Sequence, residues 1–300
     1  MITHHKMPLI AIIGGDRRQA SMIRELSGYG YPLKIWGITN WGSADHASTE
    51  SCDNWKAAIA DASAVILPLP ATLDGIRVNA SEIAENERPR LDVLFHEMEG
   101  MLLLGGRLSE EFQRHAEIHA IECIDYFNDE PLQLKNALAT AEGAISIAMK
   151  ELTTTIDGAA VSVIGYGRIG EILAHKLYGL GADVTVYARR KEVLTRAEMS
   201  HLRAIKLEES ALIRIKKETQ IIFNTVPMPL FTERVIHDLP KECIFIDLAS
   251  APGGIDHCAA EKAGLKTIWA TALPGKYAPE SAGKYIAQTI RSILADREFR

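Results

Sequence analysis

The chain has 300 residues, 47% of them hydrophobic, with a formal net charge of −6 and a pI near 6.0. That length suits about two domains with sizeable cores, and the acidic balance argues against a nucleic-acid or anionic-membrane partner, either of which would want a basic face. The longest apolar runs, such as 9–13 and 221–223, are far too short to span a bilayer.

The opening Met-Ile-Thr-His-His-Lys is followed by a brief apolar stretch broken at once by Gly14, Gly15, Asp16 and Arg17, so no signal peptide is expected. Short apolar runs then alternate with amphipathic helical stretches, the pattern of βαβ units on a parallel sheet. Strands are predicted over 9–13, 33–38, 64–69, 92–96 and 120–124, with helical patterns such as 17–26 and 110–119 between them. Pro131 opens a long helix-compatible stretch over 132–152. Beyond Asp157-Gly158 a second series of strands is predicted over 160–164, 183–188, 204–207, 220–226, 243–248 and 266–270, and 278–296 reads as a last helix. The predicted fold is α/β with two doubly wound, Rossmann-like parallel-sheet domains, and the cleft between them is the expected active site. The expected boundaries are 1–130 plus 280–300 for a flavodoxin-like substrate domain, 131–152 for a connecting helix and 153–279 for a dinucleotide-binding domain.

The four cysteines, at 52, 123, 243 and 258, have no metal-ligand spacing, and the ten histidines form no zinc-like cluster, so no metal is expected. Cys123 and Cys243 lie in apolar runs where buried, inert thiols are expected, which fits a reduced, cytoplasmic protein.

The most informative segment is Gly165-Tyr-Gly167-Arg168-Ile169-Gly170, which follows a predicted strand and opens a predicted helix over 168–180. In such a unit the first glycine permits the tight turn, the second lets a pyrophosphate approach the backbone, and the third lets the helix pack closely. The helix N-terminus then offers free N–H groups and a positive dipole end. The next strand ends at Ala188, where an NAD enzyme carries an acid for the ribose 2′-hydroxyl, and Arg189, Arg190 and Lys191 follow. Two guanidiniums with no carboxylate favour NADP, NAD remaining possible; the bland alternative is a solvated basic turn. Asn224-Thr225-Val226-Pro227 and Asp247-Leu-Ala249-Ser250 both fall at carboxyl ends of predicted strands, where ligands of open sheets sit. Asn224 and Thr225 are expected to face the nicotinamide ribose, unless the pair is ordinary loop polarity. The first domain has its own turn, Gly14-Gly15-Asp16-Arg17-Arg18-Gln19, without the dinucleotide spacing. An arginine-bearing helix start suits a carboxylate instead, a surface helix start being the alternative.

Six stretches together resemble the catalytic A subunits of dipicolinate synthases from spore-forming bacilli. They are Gly-Gly-Asp-Arg-Arg-Gln at 14–19, Leu-Pro-Leu-Pro-Ala-Thr at 67–72, Thr-Ala-Glu-Gly at 140–143, Gly-Tyr-Gly-Arg-Ile-Gly at 165–170, Asp-Leu-Ala-Ser-Ala-Pro-Gly-Gly at 247–254, and Leu-Pro-Gly-Lys-Tyr-Ala-Pro-Glu-Ser-Ala-Gly at 273–283. The resemblance implies oxidation of a dihydrodipicolinate-type cyclic dicarboxylate by NADP to dipicolinate, in the cytoplasm of the mother cell during sporulation. It further implies a partner, the flavoprotein-like B subunit, and the fold of formate/glycerate dehydrogenases, whose C-terminal helix returns to the first domain. A homo-oligomer is also expected. Asp16, Arg18, Thr72 and Ser250 are the expected substrate-binding residues.

One departure from the wider superfamily is informative. Hydroxy-acid dehydrogenases of this fold carry an arginine past the fifth nucleotide-domain strand and an acid–base histidine in the last loop; here Ser250-Ala251 and Gly275-Lys276 stand nearby. Interconverting alcohol and ketone needs a group to move the hydroxyl proton, which argues against a hydroxy-acid or amino-acid dehydrogenase, the main alternative reading beside a non-catalytic NADP-binding protein. Aromatising a dihydropyridine needs only hydride removal and loss of a ring proton, and Glu142, Asp247 and Lys276 are the candidates for that lesser role.

Overall fold

The computed structural model describes residues 7–39, 41–42 and 48–297. The opening residues 1–6, part of the segment read above for a signal peptide, lie outside them. The chain divides into two compact units, one of Met1–Lys135 with Pro279–Arg300 and the other of Asn136–Ala278.

Unit 1 is built on β1 (Ile10–Ile13), four fully buried residues whose side chains alternate between two cores. Ile10 and Ile12 join one cluster, Ala11 and Ile13 the other, so the sheet is covered on both faces. After α1 (Arg17–Gly28) come β2 (Leu33–Trp36), β3 (Thr49–Ser51), α2 (Trp55–Ile59) and β4 (Ala64–Ile66). The unit continues with α3 (Leu91–Glu97), β5 (Leu102–Gly105), α4 (Glu110–Ile118) and β6 (Glu122–Asp125). All pairings are parallel, in the order β3-β2-β1-β4-β5-β6. Without β3, the other five follow the flavodoxin order. The short edge strand β3, which the sequence pattern does not announce, extends it to the six-strand nucleotide-fold order.

The strand expected over 92–96 is instead the helix α3. Leu91, Leu94, Phe95 and Met98 are buried while Asp92, Val93, His96 and Glu97 are exposed, a helical and not an alternating spacing. The true strand is β5, whose Leu-Leu-Leu-Gly lies just beyond.

The helix α5 (Glu130–Glu151) carries the chain onward; Leu132 belongs to a unit 1 core, and Ala141, Ala144 and Ala148 to a unit 2 core. Unit 2 repeats the architecture with β7 (Ala160–Ile164), α6 (Arg168–Gly179), β8 (Asp183–Ala188), α7 (Lys191–Met199) and β9 (Arg203–Lys206). There follow α8 (Glu209–Leu212), β10 (Ile221–Asn224), α9 (Glu233–Asp238), β11 (Ile244–Asp247), α10 (His257–Lys262), β12 (Lys266–Trp269) and α11 (Leu273–Tyr277). Its parallel sheet runs β12-β11-β10-β7-β8-β9, the same topological order read from the other edge.

The last helix, α12 (Pro279–Ala295), belongs to unit 1 and packs on α1. Ala282, Ile286, Ile290 and Leu294 are buried along one stripe, each large side chain contributing about 1.5–3 kcal/mol relative to exposure. Gly283 is required there: a Cβ on it would stand 2.1 Å from the Arg18 carbonyl oxygen. No described helix is long and apolar enough to cross a membrane.

Cys243 is buried and Cys123 only half-buried. Burial pushes the Cys123 thiol up to about 11 and the Cys243 thiol to about 12, so both stay protonated at neutral pH.

Candidate functional site

The turn after β7 begins at Gly165, whose φ of +94° is left-handed backbone that a side chain resists. Space forbids one as well: a Cβ there would lie 2.3 Å from Thr225 Oγ1 and 2.9 Å from Val226 Cγ2. The Thr225 hydroxyl donates to the Ile164 carbonyl (2.9 Å), holding this wall against the turn. Gly170 is as constrained, since a Cβ would stand 2.1 Å from the Gly165 carbonyl oxygen. Gly167 differs from both. It is exposed, nothing lies within 4 Å of the Cβ position, and no side chain caps the helix α6 that starts behind it. An uncapped helix N-terminus beside open space satisfies the geometric needs of a pyrophosphate. Arg168 is exposed and Ile169 packs against the core as the helix begins.

At the end of β8, Ala188 is buried and Arg189 and Arg190 are exposed. Arg190 reaches Glu192 at 3.3 Å, a solvent-exposed pair of the kind worth ~0–1 kcal/mol and easily exchanged for another anion.

Asn224 and Asp247, at adjacent strand ends, are both fully buried and bonded to each other. Asn224 Nδ2 donates to Asp247 Oδ1 (2.8 Å) and to the Val226 carbonyl (3.0 Å), and Asn224 Oδ1 accepts from Val226 N–H (3.1 Å). Asp247 also accepts from Ala249 N–H (3.0 Å) on Oδ1 and from Gly254 N–H (2.7 Å) on Oδ2. The two side chains thus staple the loops after β10 and β11, and Asn224 has no donor left for a ribose. Sequence reasoning missed Gly254, where a Cβ would stand 2.0 Å from Asn224 Nδ2; the Gly-Gly pair in the stretch 247–254 is the only signal for it. Pro227 and Ser250 are exposed on these loops, and the Ala249 carbonyl accepts from Trp269 Nε1 (3.0 Å).

The other two proton-transfer candidates have surroundings of their own. Glu142 pairs with Lys176 (2.9 Å), and Lys276 is exposed on α11. Among the described residues, Glu142, Asp247 and Lys276 share no hydrogen bond or ion pair.

In unit 1, Asp16 caps α1 in a capping box: its carboxylate accepts from Arg18 N–H (3.0 Å) while Gln19 Oε1 accepts from Asp16 N–H (2.8 Å). The nearly buried Arg18 folds back on it, Nε and Nη2 donating to Asp16 Oδ1 and Oδ2 at 2.9 and 2.7 Å. Arg18 Nη2 also donates to the Leu69 carbonyl. Burial alone would raise the Asp16 carboxyl, but the bonds and charge of Arg18 outweigh it and hold it below the usual carboxylate range. Thr72 closes a turn, its hydroxyl accepting from Gly75 N–H (3.0 Å) and donating to Asp74 Oδ1 (3.1 Å).

Two known families match parts of the chain. Residues 9–127 match the N-terminal domain of the dipicolinate synthase A subunit, and residues 134–298 the alanine dehydrogenase/PNT C-terminal domain. The dipicolinate synthase A subunit of Bacillus subtilis (strain 168) is 30% identical over 292 residues, 96% of each chain. The crystal structure of the dipicolinate synthase A subunit from Bacillus halodurans superposes with a TM-score of 0.85 at 27% identity, covering 97% of this chain and 98% of that one. A transhydrogenase from Sinorhizobium meliloti, 13% identical, shares the fold (TM-score 0.70, 96% and 93% covered). With a nicotinamide-dinucleotide domain of the dehydrogenase type in unit 2 and the matching first module in unit 1, the chain is an oxidoreductase that belongs to the dipicolinate synthase A subunit family.

Proposed function

We propose that the chain oxidises a dihydrodipicolinate-type cyclic dicarboxylate to aromatic dipicolinate with NADP, alongside a B subunit, in the cytoplasm of a sporulating mother cell. The observation that carries the reading is the open, uncapped turn at Gly167, followed one strand later by Arg189 and Arg190 with no carboxylate between Ala188 and Arg190. Gly165, Gly167, Arg168, Ile169 and Gly170 would hold the pyrophosphate, and Arg189 and Arg190 a 2′-phosphate. The bound nicotinamide supplies the hydride acceptor.

The substrate loses one hydride from a ring carbon and one ring proton, and becomes aromatic. Asp247 is a positioning residue: its oxygens accept three N–H bonds, and with Asn224 it fixes the loops that carry Thr225, Val226, Pro227, Ala249 and Ser250. Glu142 is already paired with Lys176. The ring proton therefore passes to water, with Glu142 or Lys276 assisting, and no single base is indispensable because the aromatic product supplies the driving force. Asp16, Arg18 and Thr72 lie in unit 1.

The test is NADPH absorbance on mixing the protein and NADP with the product of dihydrodipicolinate synthase. Growth of the NADPH band with release of dipicolinate is expected; no turnover with or without the B subunit overturns the assignment.

A further inference from the structure

A dicarboxylate needs cationic hydrogen-bond donors, and Arg18 does not provide one, because Asp16 neutralises it and Leu69 takes a further N–H. A different place in unit 1 does. The chain leaving β4 forms a loop whose Thr72 bridges Val78 and whose Ala80 bridges Gly15, at the carboxyl ends of β4 and β1. There Arg77, Arg88 and Asn79 line a cavity of about 210 Å³ with Leu73 and Val78. Carboxyl ends of parallel strands are where open α/β sheets bind ligands, and the volume lies below the ~300 Å³ at which drug-sized pockets begin, a size suited to a small acid.

The two guanidiniums are available. Among the described residues neither guanidinium has an ion pair, and Arg88 is aimed by one bond only, from Nε to the Ile83 carbonyl (2.9 Å). Asp74, also in the lining, is turned to its own backbone, accepting from Ile76 and Arg77 N–H at 2.8 Å each. Those bonds, that of Arg77 N–H foremost, hold its carboxyl below the usual range, so it stays ionised and offsets part of the arginines' charge. Asn79 spends one amide hydrogen on the Pro70 carbonyl (3.1 Å), next to the Leu69 carbonyl that Arg18 engages, which fixes the wall between the two arginine sites. Glu85, the other acid of the lining, is exposed.

We infer that Arg77 and Arg88 form a binding site for a small dicarboxylate, one guanidinium to each carboxylate, with Asn79 between them; its identification with the substrate rests on the proposed reaction. Charge-assisted hydrogen bonds contribute about 1.5–3 kcal/mol each, so losing either arginine should weaken binding at least tenfold.

Calorimetric titration with pyridine-2,6-dicarboxylate in metal-free buffer tests this, with pyridine-2-carboxylate as the one-carboxylate control. The wild-type chain should bind the dicarboxylate at least tenfold more tightly than the control. Arg77→Ala and Arg88→Ala should each remove most of that preference, Arg88→Lys should retain part of it, and Glu85→Gln should tighten binding. No dicarboxylate binding by the wild type, or undiminished wild-type affinity in both alanine variants, overturns the site. If the wild type turns over substrate while KM is unmoved in both variants, the site fails and the reaction stands. If binding depends on the arginines but no turnover occurs, the reaction fails and the site stands.

Discussion

The two units place a glycine turn after the first strand of sheets with the same strand order, yet the turns have opposite surroundings. In unit 1, a Cβ at Gly14 would meet the Asn79 carbonyl at 2.8 Å and one at Gly15 would meet Gln19 Oε1 at 2.4 Å. Asp16 and Gln19 cap the helix, and Arg18 folds back onto the capping carboxylate. In unit 2 only the first and third glycines are hemmed in; the second faces open space before an uncapped helix. Topology offers both units a phosphate site, but one has filled it with its own side chains. The spacing of the glycines matters because it decides which position stays empty.

The largest effect that sharpens this contrast is expected at the third glycine. Gly170→Ala drives a Cβ into the Gly165 carbonyl, and over-packing of this kind costs about 1–3 kcal/mol, with more where backbone must move. Chemical denaturation should show unit 2 destabilised and dinucleotide binding lost; a wild-type midpoint would mean the turn is slack. Next comes Asp247→Asn, which sets an amide against the Gly254 and Ala249 N–H groups. One buried unsatisfied donor costs about 1–3 kcal/mol, so the midpoint should fall while kcat at saturating ligands stays measurable. A folded variant with both ligands bound and no turnover would identify Asp247 as a true base. Replacing Arg189 and Arg190 together with alanine should weaken NADP about tenfold or more, as loss of one charge-assisted bond implies, and leave NAD nearly unchanged. Equal loss for both cofactors would contradict a 2′-phosphate contact.

The smallest effect belongs to the closed turn. Asp16 titrates below its ordinary 3.8 in the folded chain, so its ion pair stabilises fully above that value, and the contribution fades as pH falls through the folded value. Asp16→Asn keeps the cap but not the charge, and should flatten the stability profile below about pH 4. An unchanged acid profile would show that Arg18 gains nothing from the pair.

Unit 2 is readable in the sequence because its strands are continuous β-branched and aromatic runs bounded by turns, and because GxGxxG carries its own spacing. Unit 1 is harder. Asp-Val-Leu-Phe-His at 92–96 satisfies both a short strand and one turn of helix, and only the burial of Leu91, Leu94, Phe95 and Met98 separates them. The edge strand Thr49–Ser51 is polar and three residues long, so it carries no hydrophobic signal. Asn224 and Asp247 stand out at the right strand ends, but their bond to each other and to Gly254 spans residues distant in the chain. Arg18 reads as a free cation in sequence because nothing local announces that it folds back onto the cap two residues before it. Arg77 and Arg88 escape a sequence reading for the complementary reason: they lie in an irregular loop, and only its folding, with Ala80 bridged to Gly15, brings them into one lining.

The open turn at Gly167 is expected to hold the dinucleotide, and the closed turn at Gly14-Gly15 is not. Calorimetric titration of NADP into the wild-type chain and Gly167→Ala tests it most directly. One dinucleotide per wild-type chain is expected, with affinity at least about tenfold lower in the variant, a loss of ~1.4 kcal/mol, at an unchanged Tm because nothing lies within 4 Å of the added methyl. Two dinucleotides per chain, or undiminished affinity in the variant, would contradict the account.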